Sequence, residues 1–304
     1  MDTTEYPYYQ APFPSYNVAQ RAVVPFLDKD INLVISFKTA VGKTVLAEGA
    51  MAYHLSLNDE SRVAYISPFR SLSSEKFSDW SNNFQFAHNG VMLSTGDHMA
   101  KPEDYASSRI AVITTESFDS KTRNERYEDW LKSMTCVVFD EAHLLSTKGR
   151  GAAMEASMMR FTKMNPDARI ILLSATMSNA RQIAQWLKSL NNKPTKCIRS
   201  DWRPTELNVD THIVEDGFEP KIDMAVDFAV KSRFDKKIIV FVHSKAVGNE
   251  IVKRTRKRGT KCAFHNASLK RGAREKLERM FSSSSSGLNV LVSTSTLGAG
   301  VNIG

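Results

Sequence analysis

Seven short runs of apolar residues recur along the chain, and most of them end in small or polar residues. Runs of this kind, rich in β-branched side chains and without polar alternation, are typical of strands buried on both faces of a sheet. They are NLVIS (32–36), RVAYIS (62–67), RIAVITT (109–115), CVVFD (136–140), RIILLSAT (169–176), KIIVFVHS (237–244) and LNVLVST (288–294).

Amphipathic segments of helical length lie between most of these runs, such as TVLAEGAMAYHL, SSEKFSDWSNNF, MEASMMRFTKM and ARQIAQWLKSL. Strands that alternate with helices indicate β-α-β units and a parallel sheet. We therefore predict a doubly wound α/β fold. The stretch SDWRPTELNV separates a first β-α series from a second, shorter one. We place a domain boundary there and predict two domains, 1–205 and 206–304, the second of them incomplete.

Composition and charge narrow the partners and the compartment. The chain has 304 residues, of which 42% are hydrophobic, and a formal net charge of +8. This charge favours a polyanionic partner without identifying one. No run of about 18 apolar residues is present, and the opening MDTTEYPYY has neither the basic nor the apolar segment of a secretory signal. We expect no membrane contact and an intracellular location, cytoplasmic in a prokaryote or virus and cytoplasmic or nuclear in a eukaryote.

Two further features have explanations that need no ligand. Cys136, Cys197 and Cys262 lie far apart without C-x-x-C spacing, so we predict buried thiols rather than a zinc site or disulfides. The basic run KRTRKRGTK (253–261) is either a nucleic-acid patch or a set of cations near a helix C-terminus, where the helix dipole favours them. We favour the second interpretation.

The stretch FKTAVGKT (37–44) matches most of a phosphate-binding loop. In the usual pattern G-x-x-x-x-G-K-[ST], backbone N–H groups surround phosphate, the lysine reaches the β- and γ-phosphates and the hydroxyl serves Mg²⁺. Gly42, Lys43 and Thr44 fit these positions, whereas Phe37 stands where the first glycine is expected. Taken alone, the stretch is also compatible with an ordinary strand-to-helix turn that carries a solvated lysine.

Two adjacent carboxylates end the run CVVFD and begin the next segment. Asp140 is suited to hold Mg²⁺ through water, and Glu141 to orient and deprotonate an attacking water. An acidic helix N-terminus is the alternative interpretation. Because ligands bind beyond the carboxyl ends of parallel strands, the lysine loop and the carboxylates together predict an NTPase. Ser174 and Thr176 also end a strand, and their hydroxyls either couple nucleotide to movement or cap a helix.

These residues stand within an ordered series of motifs. The series is TAVGKT, PFRSL with EKF, STGD, TTESFDS, DEAHLL followed by GRGAAMEA, LSATMSNARQIAQWL, DWRP and VLVSTSTLGAGVN. It resembles the motifs of superfamily 2 DExH helicases, most of all the superkiller-like group that includes the archaeal repair helicases. The resemblance extends from about Gln20 to the end of the chain. This group tolerates an apolar residue at the position of Phe37.

The resemblance implies two RecA-like domains and a role for each motif residue. The resemblance assigns catalysis to Lys43, Asp140 and Glu141, and the binding of Mg²⁺ to Thr44 and Asp140. The nucleotide is bound by Gln20 at the adenine edge and by Thr39, Gly42, Lys43, Thr44 and, near the ribose, Asn302. The nucleic-acid backbone meets Arg70, Thr95, Gly96, Thr114 and Thr115 from the first domain and Ser244, Thr294 and Thr296 from the second. Coupling between nucleotide and movement falls to His143, Ser174 and Thr176. Taken singly, Arg70 is equally a surface arginine, and the threonines are equally helix caps.

By this resemblance the protein is a nucleic-acid-stimulated ATPase that uses ATP and Mg²⁺ to move 3′ to 5′ on single-stranded or partly duplex nucleic acid, DNA rather than RNA. The alternative is a clamp or remodeller that binds ATP without unwinding. A P-loop kinase would need an acceptor pocket and leaves the nucleic-acid motifs unexplained. The chain stops at Gly304, whereas the family continues into a Q-x-x-G-R-x-G-R motif whose arginines reach the γ-phosphate. We therefore expect a fragment that alone binds ATP, hydrolyses it poorly and does not unwind duplexes.

Overall fold

The computed structural model describes residues 2–3, 6–83, 85–98, 100–147, 149–231, 236–294 and 297, without the side chains of Pro102 and Arg271. Thr296 and Asn302, to which the resemblance gives roles in binding nucleic acid and nucleotide, lie outside the described residues. The chain divides into two compact units, of which unit 1 ends at Leu207 and unit 2 begins at Asn208.

Within the described residues, unit 1 is built on one seven-stranded sheet in which each strand runs parallel to its neighbours. The strands are β1 (Asn32–Phe37), β2 (Arg62–Ser67), β3 (Val91–Ser94), β4 (Ile110–Thr114), β5 (Met134–Phe139), β6 (Arg169–Ser174) and β7 (Thr195–Ser200). They stand in the order β3-β4-β2-β5-β6-β1-β7. Because the strands are parallel, their carboxyl ends meet at one edge of the sheet, where loops bind ligands in such folds.

Helices connect these strands and cover both faces of the sheet. They are α1 (Val18–Arg21), α2 (Lys43–Leu57), α3 (Arg70–Asn82), α4 (Pro102–Ser107), α5 (Thr115–Lys121), α6 (Glu128–Lys132), α7 (Arg150–Met164) and α8 (Ala180–Asn191). Short 3₁₀ segments occupy Val24–Phe26, Ala87–Asn89, Glu125–Tyr127 and Ala142–Ser146.

The core of unit 1 consists of two hydrophobic clusters, one on each face of the sheet. Leu33 and Ile35 belong to one cluster and Val34 to the other, as expected when successive side chains of a strand point to opposite faces. The central strands are buried on both faces, which explains their continuous apolar sequences.

Arg169, at the start of β6, is fully buried and attaches the segment before β1 to the sheet. Its guanidinium donates hydrogen bonds of 2.6, 2.5 and 2.8 Å to the backbone carbonyls of Phe26, Leu27 and Ile31. The planar fork of an arginine suits several acceptors at once, so these bonds offset the burial of its charge.

Unit 2 contains a smaller parallel sheet of three strands among its described residues, in the order β8-β10-β9. Its elements are α9 (Phe218–Lys231), β8 (Ile238–Phe241), α10 (Lys245–Lys257), β9 (Cys262–His265), α11 (Arg271–Ser282), a 3₁₀ segment (Ser284–Ser286) and β10 (Val290–Ser293). The predicted α/β class with parallel sheets is thus confirmed.

The three cysteines are free, and one arginine of the basic run is ion-paired. Cys136 and Cys262 are buried, as predicted, whereas Cys197, on the edge strand β7, is only half-buried. Arg254, within the basic run KRTRKRGTK, forms ion pairs with three acidic side chains of unit 2, those of Glu219, Asp223 and Glu250. None of the helices in the described part of the chain is long and apolar enough to cross a bilayer.

Candidate nucleotide and nucleic-acid site

The predicted site residues of unit 1 fall into two groups along the carboxyl edge of the sheet. Those after β1, β5 and β6 form the nucleotide group: the loop 38–44, Asp140, Glu141, Ser174 and Thr176. Those after β2, β3 and β4 form the nucleic-acid group: Arg70, Thr95, Gly96, Thr114 and Thr115. The two sets of strands occupy neighbouring halves of the same sheet.

The loop between β1 and α2 has the backbone expected of a phosphate-binding turn. Gly42 has φ 80° and ψ 45°, a left-handed conformation that glycine adopts without steric penalty. A Cβ at this position would lie 2.6 Å from Nε2 of Gln20. Phe37, in place of the usual first glycine, is the last residue of β1, and its side chain is buried in the core. The glycine missing from the motif is therefore replaced by a strand residue, while the essential turn is kept at Gly42.

Lys43 is folded back into this loop. Its ammonium donates to the carbonyl oxygens of Phe37 at 3.2 Å and Lys38 at 3.1 Å. Burial lowers the pKa of Lys43, and the carboxylates of Glu141 and Asp140 act in the opposite direction. The ammonium is thus close enough to both carboxylates to interact with them, and an anionic ligand in the loop would compensate its burial. Thr39 is exposed on the loop.

Gln20 covers the same loop with a side chain that is only 2% exposed. Its Nε2 donates to the carbonyl of Gly42 at 3.2 Å, and its Oε1 accepts from the backbone N–H of Asn17 at 3.0 Å. Asn17 also donates from Nδ2 to the carbonyl of Val41 at 3.0 Å. Each end of the Gln20 amide thus makes one hydrogen bond within unit 1, which fixes its orientation and leaves one N–H donor and one acceptor lone pair for a ligand.

Asp140 follows β5 and is held by two donors. Its Oδ2 accepts a hydrogen bond of 2.5 Å from the Tyr65 hydroxyl, and its Oδ1 accepts one of 2.8 Å from the backbone N–H of Glu141. Burial raises the pKa of Asp140, whereas the two hydrogen bonds and the charge of Lys43 oppose that shift. A cation beside this carboxylate would favour its ionised form.

Glu141 has a left-handed backbone with φ 52°, which is uncommon for a residue with a side chain. Such a conformation is disfavoured by about 1–3 kcal/mol and persists only where the surroundings enforce it, commonly at active sites. Burial raises the pKa of the Glu141 carboxyl, the charge of Asp140 adds to the rise, and Lys43 opposes it. A carboxylate with a raised pKa is a better proton acceptor at neutral pH.

Of the three residues predicted to couple the nucleotide to movement, His143 lies beside the Glu141 carboxylate. Nδ1 of His143 lies 3.2 Å from Oε2 of Glu141. Burial lowers the pKa of His143, followed by the charge of Lys43. Ser174 is buried, and its hydroxyl has no hydrogen-bond partner among the described residues. Thr176 is exposed and, with His143, lines a cavity of about 480 Å³.

In the nucleic-acid group, Arg70 and Gly96 come together although 25 residues separate them in the sequence numbering. A Cβ on Gly96 would lie 2.6 Å from Nη2 of Arg70, so any other residue here would displace the guanidinium from this position. Arg70 forms an ion pair with Asp97, and its side chain is 59% exposed. An exposed arginine held over a glycine turn is able to bind a backbone phosphate.

The three threonines of this group are buried rather than presented to solvent. Thr95, Thr114 and Thr115 are 4%, 2% and 1% exposed. The hydroxyl of Thr95 accepts from the backbone N–H of His98 at 3.1 Å, whereas that of Thr115 has no partner in the described part of the chain. In this conformation the threonines shape the loops, and direct contact of their side chains with a ligand requires the loops to move.

In unit 2, Ser244 and Thr294 follow the neighbouring strands β8 and β10 at one edge of the sheet. The Ser244 hydroxyl caps α10 by accepting from the N–H of Val247 at 3.2 Å. The N–H of Thr294 donates to the carbonyl of His265 at 3.3 Å. Ser244 therefore has the structural role of a helix cap in addition to its predicted contact.

Sequence reasoning missed Tyr65, Asn17 and Asp97 as parts of these sites. Tyr65 lies within an apolar strand, where a tyrosine is read as core, and nothing in the sequence shows that its hydroxyl meets Asp140. No group of three or more His, Cys, Asp or Glu side chains able to hold a metal occurs in the ranges that the structure describes. The hydroxyl of Thr44 and the carboxylate of Asp140 are oxygen ligands of the kind that suits Mg²⁺, which is commonly bound through one or two protein ligands together with substrate phosphates.

Comparison with known proteins agrees with this geometry. Residues 17–183 match the family model of the DEAD/DEAH box helicase, and residues 220–304 match that of the helicase conserved C-terminal domain. The chain is 37% identical to the ATP-dependent DNA helicase Hel308 of Pyrococcus abyssi over 58% of its own length and 23% of that protein's. It is 30% identical to Hel308 of Pyrococcus horikoshii over 90% of its length and 42% of that protein's. The chain thus spans less than half the length of these relatives.

Solved structures support the fold. The DUF1998 helicase MrfA bound to DNA and AMPPNP has a TM-score of 0.74 at 16% identity, covering 96% of this chain and 43% of that one. Dbp5 of S. cerevisiae, bound to RNA and ADP BeF3, has a TM-score of 0.68 at 20% identity, covering 96% and 73%. The solved structures confirm the fold, and the two family models confirm two RecA-like domains, the second smaller, and the predicted resemblance to superfamily 2 helicases. The chain belongs to the DEAD/DEAH box helicase family.

Proposed function

We propose that the chain carries the two RecA-like domains, 1–205 and 206–304, of an ATP-dependent DNA helicase or translocase. The observation that supports this most is the placement of Lys43, after β1, and of Asp140 and Glu141, after β5, at the carboxyl edge of one parallel sheet. Beside them on the same edge lies Arg70 with its glycine turn. One half of the sheet edge thus carries the nucleotide group and the other half carries the nucleic-acid group. This arrangement suits an enzyme that links ATP to movement on nucleic acid.

In this proposal Lys43 neutralises the β- and γ-phosphates, and Gly42 lets the backbone approach them. Thr44 and Asp140 hold Mg²⁺, which when bound neutralises charge that develops on the transferred phosphoryl group. Glu141 orients and deprotonates the attacking water. His143, Ser174 and Thr176 respond to the state of the nucleotide, and the amide of Gln20 binds the adenine edge.

The nucleic acid is held by its backbone, through Arg70 and the loops at Thr95–Gly96 and Thr114–Thr115 in unit 1 and through Ser244, Thr294 and Thr296 in unit 2. Groups of this kind fix a strand without reading its sequence. We favour single-stranded or partly duplex DNA because the relatives are DNA helicases by name. Movement is 3′ to 5′, and the protein acts inside the cell.

The test is ATP turnover by this chain with no nucleic acid, with single-stranded DNA and with single-stranded RNA, alongside displacement of a labelled strand from a 3′-tailed duplex. Turnover stimulated by DNA more than by RNA supports the proposal. Nucleotide-dependent DNA binding with no DNA-stimulated turnover at all, not even a slow one, would favour the clamp, whereas a lack of strand displacement by itself would not. Turnover that nucleic acid leaves unchanged would contradict both.

A further inference from the structure

The hydroxyl of Tyr65 contacts Asp140, one of the two residues proposed to hold Mg²⁺. Tyr65 lies in β2, and its side chain is completely buried. Its hydroxyl donates to Oδ2 of Asp140 at 2.5 Å. One buried group on a central strand thus holds the carboxylate that follows the neighbouring strand β5.

The Tyr65 ring is itself fixed from behind. It packs edge-on against Trp80 of α3, with ring centroids 5.1 Å apart. The indole N–H of Trp80 donates to Oε1 of Glu48 at 2.7 Å, and the other carboxylate oxygen of Glu48 accepts from the Tyr9 hydroxyl. Because Glu48 lies one turn after Thr44 on α2, these contacts lock the tyrosine against the helix that follows the phosphate loop.

We propose that Tyr65 is a positioning residue of the magnesium site, an inference that rests on the function proposed above. Its hydroxyl orients the Asp140 carboxylate, so that this side chain does not have to reorganise when a magnesium–nucleotide complex binds. Partners of this kind, behind the direct ligands, set ligand orientation and metal affinity. Tyr65 therefore acts on the metal through Asp140 and not on the nucleotide itself.

The experiment compares Tyr65→Phe, which keeps the packed ring and removes only the hydroxyl, with the unchanged chain. Binding of a fluorescent, non-hydrolysable ATP analogue is measured in EDTA and across a Mg²⁺ titration. We expect the same affinity in EDTA, whereas the Mg²⁺ concentration for half-maximal enhancement should rise by about 10-fold or more. Tyr6→Phe is the matched control, since it removes another buried tyrosine hydroxyl that bonds to α2, at Gly49, away from the carboxylates.

A double-variant cycle shows whether Tyr65 acts through Asp140. In an Asp140→Asn background, Tyr65→Phe should cause little further loss of Mg²⁺ dependence, because the carboxylate that it orients is already gone. Two full and independent losses would overturn the inference.

The outcomes also separate this inference from the proposed function. If the unchanged chain binds nucleotide with Mg²⁺ dependence and Tyr65→Phe does the same, the inference alone is wrong. If Tyr65→Phe weakens binding equally in EDTA and in Mg²⁺, the hydroxyl supports the fold of the loop and the inference is again wrong. If the unchanged chain shows no Mg²⁺-dependent nucleotide binding, the proposed function fails and the inference falls with it.

Discussion

The buried His54 should make unit 1 sensitive to mild acid, and replacing it should remove that sensitivity. His54 lies on α2 with a side chain 4% exposed, and neither ring nitrogen has a hydrogen-bond partner among the described residues. Burial lowers the pKa of His54 to about 3, helped by the nearby charge of Arg169. The folded protein therefore keeps this ring neutral where an unfolded chain protonates it.

The magnitude follows from the difference between the two states. Around pH 5 the unfolded chain binds a proton at His54 that the folded chain excludes, so acid favours unfolding. The loss begins near the ordinary pKa of 6.5, grows as the pH falls and is complete near pH 3. Between about pH 7.5 and pH 5, the free energy of unfolding should fall by about 2 kcal/mol through this group, since each pKa unit is worth about 1.4 kcal/mol.

The assay is urea unfolding of the unchanged chain and of His54→Leu at both pH values, followed by tryptophan fluorescence. All four tryptophans belong to unit 1, at Trp80, Trp130, Trp186 and Trp202, so the signal reports that unit alone. Leucine has a similar size and needs no hydrogen bond, and other titrating groups cancel when the two chains are compared. Equal losses of stability in both chains between the two pH values would refute the reasoning.

Three other changes test the site residues. Lys43→Ala and Glu141→Gln should both abolish ATP hydrolysis. Only Lys43→Ala should also weaken nucleotide binding, because the lysine contacts phosphate whereas the glutamate acts on water. Equal losses of nucleotide affinity in the two variants would show that Glu141 does not have its proposed role. Gly42→Ala should lower the free energy of unfolding by about 1–2 kcal/mol and weaken nucleotide binding, because the position is left-handed and the new Cβ meets Gln20; an unchanged urea midpoint would contradict this. Arg70→Ala should reduce the slope of log affinity for single-stranded DNA against log salt by about one, and an identical slope in anisotropy titrations would show that Arg70 contacts no phosphate.

The strands that the sequence predicts and those that it misses differ in their place in the sheets. The apolar runs correspond to the strands that are buried between two neighbours, and to β8. The missed strands β3, β7 and β9 are all at sheet edges. β7 reads TKCIRS, with only Ile198 fully buried, because an edge strand is paired on one side and tolerates charged residues. Runs of apolar residues therefore identify the central strands of a sheet, whereas most edge strands are missed.

The candidate site divides in the same way: some of its features depend on one short stretch of sequence, and others depend on contacts between stretches that are far apart in the chain. Two features depend on short stretches of chain and could be predicted from the spacing of residues. They are the turn at Gly42 that precedes Lys43, and the pair of carboxylates after β5. The contact of Tyr65 in β2 with Asp140 after β5 joins residues that are 75 apart in the sequence. Arg70 after β2 meets Gly96 after β3, and β4 lies between these two strands in the sheet. Such pairs are set by strand order, which no local pattern specifies. The roles of these residues in binding stay predictions.

The position of β1 has a consequence for the order in which unit 1 assembles during synthesis. β1 pairs on one side with β6, Arg169–Ser174, and on the other with β7, Thr195–Ser200. The ribosome synthesises both partner strands long after β1. Arg169, whose side chain bonds to the segment before β1, is also synthesised late. The nascent chain must therefore keep β1, a largely apolar strand, unpaired until nearly all of unit 1 has emerged. The phosphate loop that follows β1 cannot take its final shape before then. We expect a ribosome-bound nascent chain that exposes residues only as far as β5 to bind no nucleotide, and one that exposes β7 to bind it.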